Sequence, residues 1–189
     1  SSKDDNKRLN SSVLVGHILL VVSLLLLSLI YIYKFRYNIF VDENKMTFIF
    51  LNISLSVIIS LILLDLNPRF IYVAPICIFP LLTKTFFDSR LAFFIHIVSI
   101  IIISFNVFNG FEYIFIQILA GIISILSTSK IYKRANLFIS VAQITVVYFL
   151  GYIIFYLLSL GNIEKIDFSQ FGFFLANGML TLFVLPLIY

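Results

Sequence analysis

Two histidines, one cysteine and nine carboxylates are the side chains of this 189-residue sequence best suited to ligate a metal, attack a substrate or relay a proton. Metal-dependent chemistry needs such groups in clusters, and here they are scattered. His17 falls just inside the first apolar run and His96 just inside the fourth, near opposite membrane surfaces, so they cannot share an ion. Neither precedes an aspartate: the pairs are His17-Ile18 and His96-Ile97. Cys77 is the sole cysteine, which excludes an internal disulfide, and its apolar surroundings mark a small core residue. No nucleophile with a base, no carboxylate pair and no metal set can be assembled from the apolar runs, so no enzyme and no cofactor is expected within these residues.

The uncharged polar residues are better ordered. Gln117, Gly121, Ser124 and Thr128, with Ala120 beside them, fall at helical spacing in one run; Asn52, Ser56 and Ser60 recur in another; His96, Ser99 and Asn106 share a face in a third. Gln143 and Gly151, then Gly172, Ala176, Asn177 and Thr181, mark the last two runs. Small and hydroxylated residues let helix backbones approach and bond across membrane helices. The sharper expectation is that His96, Gln117, Gln143 and Asn177 line one intramembrane polar cavity for a small molecule, with Tyr148 and Tyr152 on a tyrosine stripe that turns toward it.

The elements that must position these groups are membrane helices. The sequence is 61% hydrophobic and 12% charged, with a mean hydropathy of +1.11, far from the soluble average of roughly 45–50% apolar and 25% charged. The net charge of +4 comes from short basic clusters between apolar runs, which argues for topology and against a nucleic-acid partner. With roughly 20 residues needed to cross a bilayer, seven segments emerge, at about Val13 to Tyr33, Met46 to Leu64, Phe70 to Leu82, Leu91 to Phe108, Phe111 to Ser129, Leu137 to Leu160 and Phe171 to Tyr189. Asn109-Gly110 reads as a tight turn, with a residue suited to positive φ, that makes the fourth and fifth an antiparallel hairpin. The absence of tryptophan leaves interface anchoring to Tyr31, Tyr33, Tyr37, Tyr113, Tyr132 and Tyr189.

The third segment differs from the rest. Pro75 and Pro80 interrupt it, each removing a helical N–H and crowding the carbonyl four residues earlier, those of Ile71 and Ile76. In hydrocarbon such carbonyls need other partners, so the segment should be buried among its neighbours, as a full span or a re-entrant one. It ends in the charge cluster Lys84, Asp88 and Arg90.

Cytoplasmic loops retain lysine and arginine. With the N-terminus outside, the inner loops hold Lys34, Arg36, Lys45, Lys84, Arg90, Lys130, Lys133 and Arg134, and the outer ones Arg69 and Lys165; only the tail, with Lys3, Lys7 and Arg8, runs against the trend. The expectation is an all-α integral membrane protein: residues 1–12 a polar extracytoplasmic tail, 13–189 a single seven-helix transmembrane domain with a proline-broken third helix, N-terminus outside and C-terminus inside.

Three blocks in this order resemble the membrane domain of the bacterial seven-transmembrane receptors that carry an intracellular HD phosphohydrolase domain. They are YVAPICIFPLLTKTFFDSRLAFF, FEYIFIQILAGIISILSTSKIYKRANLF and FGFFLANGMLTLFVLPLIY. The resemblance implies an extracytoplasmic domain upstream and a cytoplasmic HD domain downstream. It also implies that this HD domain hydrolyses cyclic dinucleotides, typically cyclic di-AMP, with a metal pair whose histidine and aspartate ligands have no counterpart here. The chain would then be a sensor and transmission domain in a bacterial cell membrane, its partners the bilayer, the two flanking domains, a small-molecule ligand and further copies of itself. The broken third helix would be its bistable element, held at the inner end by Asp88 with Arg90 or Lys84. Two other readings stand beside it: a small-solute transporter or channel, since carriers build sites on broken helices, or a membrane anchor that oligomerises through Ala120, Ser124 and Thr128.

Overall fold

A computed structural model describes residues 2–127, 134–160 and 167–188, and there the chain is helical throughout. In order come α1 (Ser2–Phe35), α2 (Tyr37–Phe40), α3 (Glu43–Leu66), α4 (Ile78–Phe86), α5 (Ser89–Ser104), α6 (Gly110–Ser127), α7 (Arg134–Leu160) and α8 (Ser169–Ile188). A 3₁₀ turn over Pro68–Tyr72 stands between α3 and α4. Lipid offers the backbone no partners, and helices supply their own. Four stretches, Ser12–Phe35, Glu43–Leu66, Gly110–Ser127 and Phe138–Ser159, are long and apolar enough to cross a membrane, while Ser89–Ser104 and Ser169–Val184 are shorter apolar helices. The expected loop residues Lys130, Lys133 and Lys165, with Thr128, Tyr132 and Tyr189, lie outside the described residues.

The chain divides into two compact units, Ser1–Phe48 and Ile49–Tyr189. In the first, α1 carries an outward surface of Val13, Leu14, Val15, Ile18 and Leu19. Its polar side chains turn back on the helix: His17 Nδ1 donates to the Val13 carbonyl at 2.8 Å and Ser28 to that of Leu24 at 2.9 Å. The chain continues into α2, where Tyr33 packs edge-on against Tyr37 and Phe40. Asp42 closes the start of α3 through the Lys45 amide and ammonium, which hold its carboxyl below the ordinary range.

In the second unit α6 packs against α5 and α7, α7 against α8, and α4 against α5, α6 and α8. The faces with small and polar residues are the buried ones: Asn52, Ser56 and Ser60 on α3, His96 and Ser99 on α5, Gln117, Ala120 and Ser124 on α6. Ala120 and Ser124, two of the three residues expected on an oligomerisation face, are fully enclosed by their own bundle. Tyr113, expected at an interface, is likewise fully buried beside Ile71, Ala74 and Ile100. Close approach needs glycine at several places. A Cβ on Gly121 would stand 2.3 Å from the His96 ring, and one on Gly151 would stand 2.7 Å from Ile116.

The α5–α6 connection is longer than expected. Helix α5 stops at Ser104, residues 105–109 form the turn, and Gly110 opens α6 without a positive φ. What calls for glycine there is crowding, because a Cβ would meet the Ser104 carbonyl at 2.7 Å.

Replacing Gly151 by Leu should therefore lower bundle stability by about 1–3 kcal/mol, the usual cost of overpacking. Gly172→Ala, where nothing lies within 4 Å of the new methyl, should leave it unchanged. Thermal unfolding of both variants in one detergent checks the contrast.

Candidate functional site

The segment after α3 enters the bundle without a regular helix. Asn67 accepts the Arg69 amide at 2.9 Å and starts the 3₁₀ turn, in which Pro68 needs no N–H. Residues 73–77 then form tight turns, in which the amide of Ile76 donates to Ala74 and that of Ile78 to Pro75. Pro80 falls in the first turn of α4, whose amides have no helical acceptor in any case. The carbonyls affected thus differ from expectation, because no helix runs through Pro75 to place Ile71 and Ile76 opposite missing donors. Ile76 accepts from the Phe79 amide at 3.2 Å, and the carbonyl needing outside help is that of Tyr72, while that of Ala74, bonded by the Ile76 amide at 2.8 Å, takes a second bond. Burial itself is as expected: Ile71, Ala74, Ile76 and Cys77 are all enclosed, the first three in one core cluster and Cys77 in the next.

Asn177 of α8 supplies the help. Its Nδ2 donates to Tyr72 at 3.0 Å and to Ala74 at 2.7 Å. Both neighbours are carbonyl oxygens, which fixes the amide's orientation, and the Thr181 hydroxyl lies 3.4 Å from Asn177 Oδ1 on its other side. A second strap reaches α4 from α3, where Asn52 Nδ2 donates to the Phe79 carbonyl at 3.3 Å and to Thr83 Oγ1 at 3.2 Å.

Of the expected cavity residues, the structure brings Gln117 together with His96 and Tyr148. His96 Nε2 donates to the Gln117 carbonyl at 2.9 Å, and the Tyr148 hydroxyl donates to Gln117 Oε1 at 2.9 Å, with Cys77 Sγ at 3.7 Å from the same hydroxyl. His96 Nδ1 and Gln117 Nε2 are buried without a partner among the described residues. These side chains spend their bonds tying α5, α6 and α7 to one another and to Cys77. Gln143 is not among them: it lies on the exposed side of α7 and accepts from Ser127 at 2.7 Å. Helical register explains it, since Ile144 and Tyr148 mark the buried face of α7. Tyr152 is half-buried, near Phe171 and Phe174, and lines a cleft at the bundle end where α3 finishes.

The charge cluster is distributed. Asp88 Oδ1 accepts the Leu91 amide at 2.9 Å and caps α5, Lys84 Nζ donates to the Ile125 carbonyl of α6, and Arg90 is exposed at the start of α5. Sequence reasoning used Arg69 only for topology and passed over Glu112. Arg69 pairs with Asp167 at 3.0 Å across a hundred residues of chain, and Glu112 accepts from Asn109 at 3.2 Å. Their signal was visible: each is an isolated charge beside an apolar run.

Two measurements follow. Tyr148→Phe strands Gln117 Oε1 and should cost about 1–3 kcal/mol, whereas Gln143→Ala should cost under about 0.5 kcal/mol; thermal unfolding reads both. Asp167 is held below the usual carboxylate range by the Ser169 hydroxyl and amide, then by Arg69. A carboxyl lowered on folding stabilises above its unfolded value of about 3.9 and loses that contribution as pH falls through its folded value. The stability advantage of the wild type over Asp167→Asn should therefore be present at neutral pH and vanish in strong acid.

A family model described as "7TM receptor with intracellular HD hydrolase" matches residues 11–189. No curated protein matches the chain, and no solved structure does.

Proposed function

Because this chain belongs to the family of seven-transmembrane receptors with an intracellular HD hydrolase, we propose that it is the sensor and transmission domain of such a receptor. In this reading its seven spans are α1, α3, the broken segment with α4, α5, α6, α7 and α8. The N-terminus is outside, the C-terminus inside, and the bilayer is a bacterial cell membrane. A signal arriving from an extracytoplasmic domain or from within the bundle changes the packing. The change reaches an HD domain that hydrolyses a cyclic dinucleotide, cyclic di-AMP in the case the resemblance favours.

The observation that carries the reading is the Asn177 brace. Helix α8 is the element that would lead to a cytoplasmic domain, and it is hydrogen-bonded through Asn177 to Tyr72 and Ala74, the irregular backbone most open to rearrangement. A shift of that backbone alters what holds α8, and a shift of α8 strands the Tyr72 carbonyl and removes one of the two bonds to that of Ala74. A stranded group costs about 1–3 kcal/mol, the size of coupling that changes an equilibrium about 5- to 150-fold. The lean supply of ionisable groups along the spans suits transmission by packing better than by proton relay.

The test is Asn177→Ala in the receptor polypeptide that carries the hydrolase, reconstituted in membranes, with cyclic di-AMP turnover measured. Turnover should change several-fold while the protein stays folded, and exposed Gly172→Ala on the same helix should match the wild type. Wild-type turnover in a folded Asn177→Ala protein would overturn the reading.

A further inference from the structure

A cavity of about 480 Å³ opens at the end of the Ile49–Tyr189 unit where α3 finishes, α6 begins and α7 approaches α8. Its size falls within the roughly 300–1,000 Å³ of small-molecule sites. Six of its lining residues set its chemistry: Arg69, Tyr72, Glu112, Tyr152, Tyr156 and Gln170. In the orientation proposed above this end is extracytoplasmic.

Among the described residues the charges here are not balanced. Arg69 is answered at the rim by Asp167 at 3.0 Å and reaches Ser169 at 3.4 Å. Glu112, half-buried, has among the described residues the neutral Asn109 amide as its partner, at 3.2 Å. Two further oxygens that line the cavity, Tyr156 Oη and Gln170 Oε1, are buried and have no hydrogen-bond partner among the described residues. Buried acceptors left unmatched are destabilising, and both line the same cavity as this carboxylate.

We propose that this cleft binds a small organic ammonium ion, an amine on an apolar or aromatic body. An ammonium group brings N–H donors and no acceptor, which suits the Glu112 carboxylate, the Gln170 carbonyl oxygen and the Tyr156 hydroxyl oxygen. The faces of Tyr72, Tyr152 and Tyr156 attract a cation through their ring quadrupoles, while the apolar body displaces water from Phe155 and Val107. An anion would face the Glu112 carboxylate and find Arg69 engaged. A hard divalent cation would want several carboxylates, and Asp167 is taken by Arg69. Tyr72 also joins this cleft to the brace: its side chain lines the cavity with Glu112 and its carbonyl meets Asn177. The signalling consequence of binding rests on the transmission reading, and binding itself does not.

The experiment measures binding to the full-length protein in lipid nanodiscs by calorimetry and thermal shift. Phenethylammonium is the probe and phenylpropionate its anionic counterpart. Phenethylammonium should bind and raise the melting temperature, phenylpropionate should not, and Glu112→Gln should weaken the probe by about tenfold or more. Tyr156→Phe should weaken it too without lowering the melting temperature of the unliganded protein, and it carries the test if Glu112→Gln misfolds. Equal binding by either variant, preference for phenylpropionate, or no binding of phenethylammonium would overturn the proposal. Hydrolase turnover is not read here, so failure leaves the Asn177→Ala result standing, and the reverse holds as well.

Discussion

Buried backbone that no helix satisfies governs this structure. Once the chain leaves α3 and turns at residues 73–77, it has given up helical self-sufficiency inside the core of the bundle, and an unanswered amide or carbonyl there is costly. Tyr72 and Ala74 are answered from α8, and Phe79, at the start of α4, from Asn52 on α3. The broken segment can therefore exist only where α3 and α8 reach it. Its apolar side chains lie in both core clusters, so backbone and side-chain requirements point to the same site.

The remaining polar groups follow from the same constraint. Serines that cannot reach another helix bond back to their own, as Ser56 does to Ile53, Ser60 to Ser56 and Ser99 to Ile95. Larger groups reach across: His96 to α6, Tyr148 to Gln117. Glycine permits the first of these, since the His96 ring lies where a Gly121 side chain would be. Membrane helices gain little from hydrophobic association and depend on such close packing and hydrogen bonding.

Much of this was legible in the sequence, because lipid makes periodicity and length strict. Most helix limits follow the apolar runs within a few residues, though α1 starts at Ser2, well before Val13, and the third run becomes α-helix only at Ile78; the recurring small and polar positions on α3, α5 and α6 mark buried faces. Pro75 and Pro80 announced an interruption. The partner of the interruption was not legible, since a side-chain amide bonded to a backbone carbonyl a hundred residues away leaves no local pattern. Gln143 misled for a related reason: a polar residue in an apolar run looks the same facing a neighbour or facing outward, and only the phase of Ile144 and Tyr148 tells them apart. Gly110 misled because a glycine needed for crowding and one needed for a left-handed turn share one letter.

Lys84 has a consequence of another kind. It lies in the last turn of α4, and its ammonium reaches the Ile125 carbonyl in the last turn of α6. Peptide dipoles leave partial negative charge at a helix C-terminus, so two helices ending side by side share one counter-ion there. At the opposite end of the bundle lie the Arg69–Asp167 pair, part-exposed, and Glu112. Mobile ions screen exposed pairs strongly and half-buried contacts less. The two ends of the bundle accordingly answer ionic strength unequally: salt loosens the Arg69 end while the Lys84 end keeps its hold.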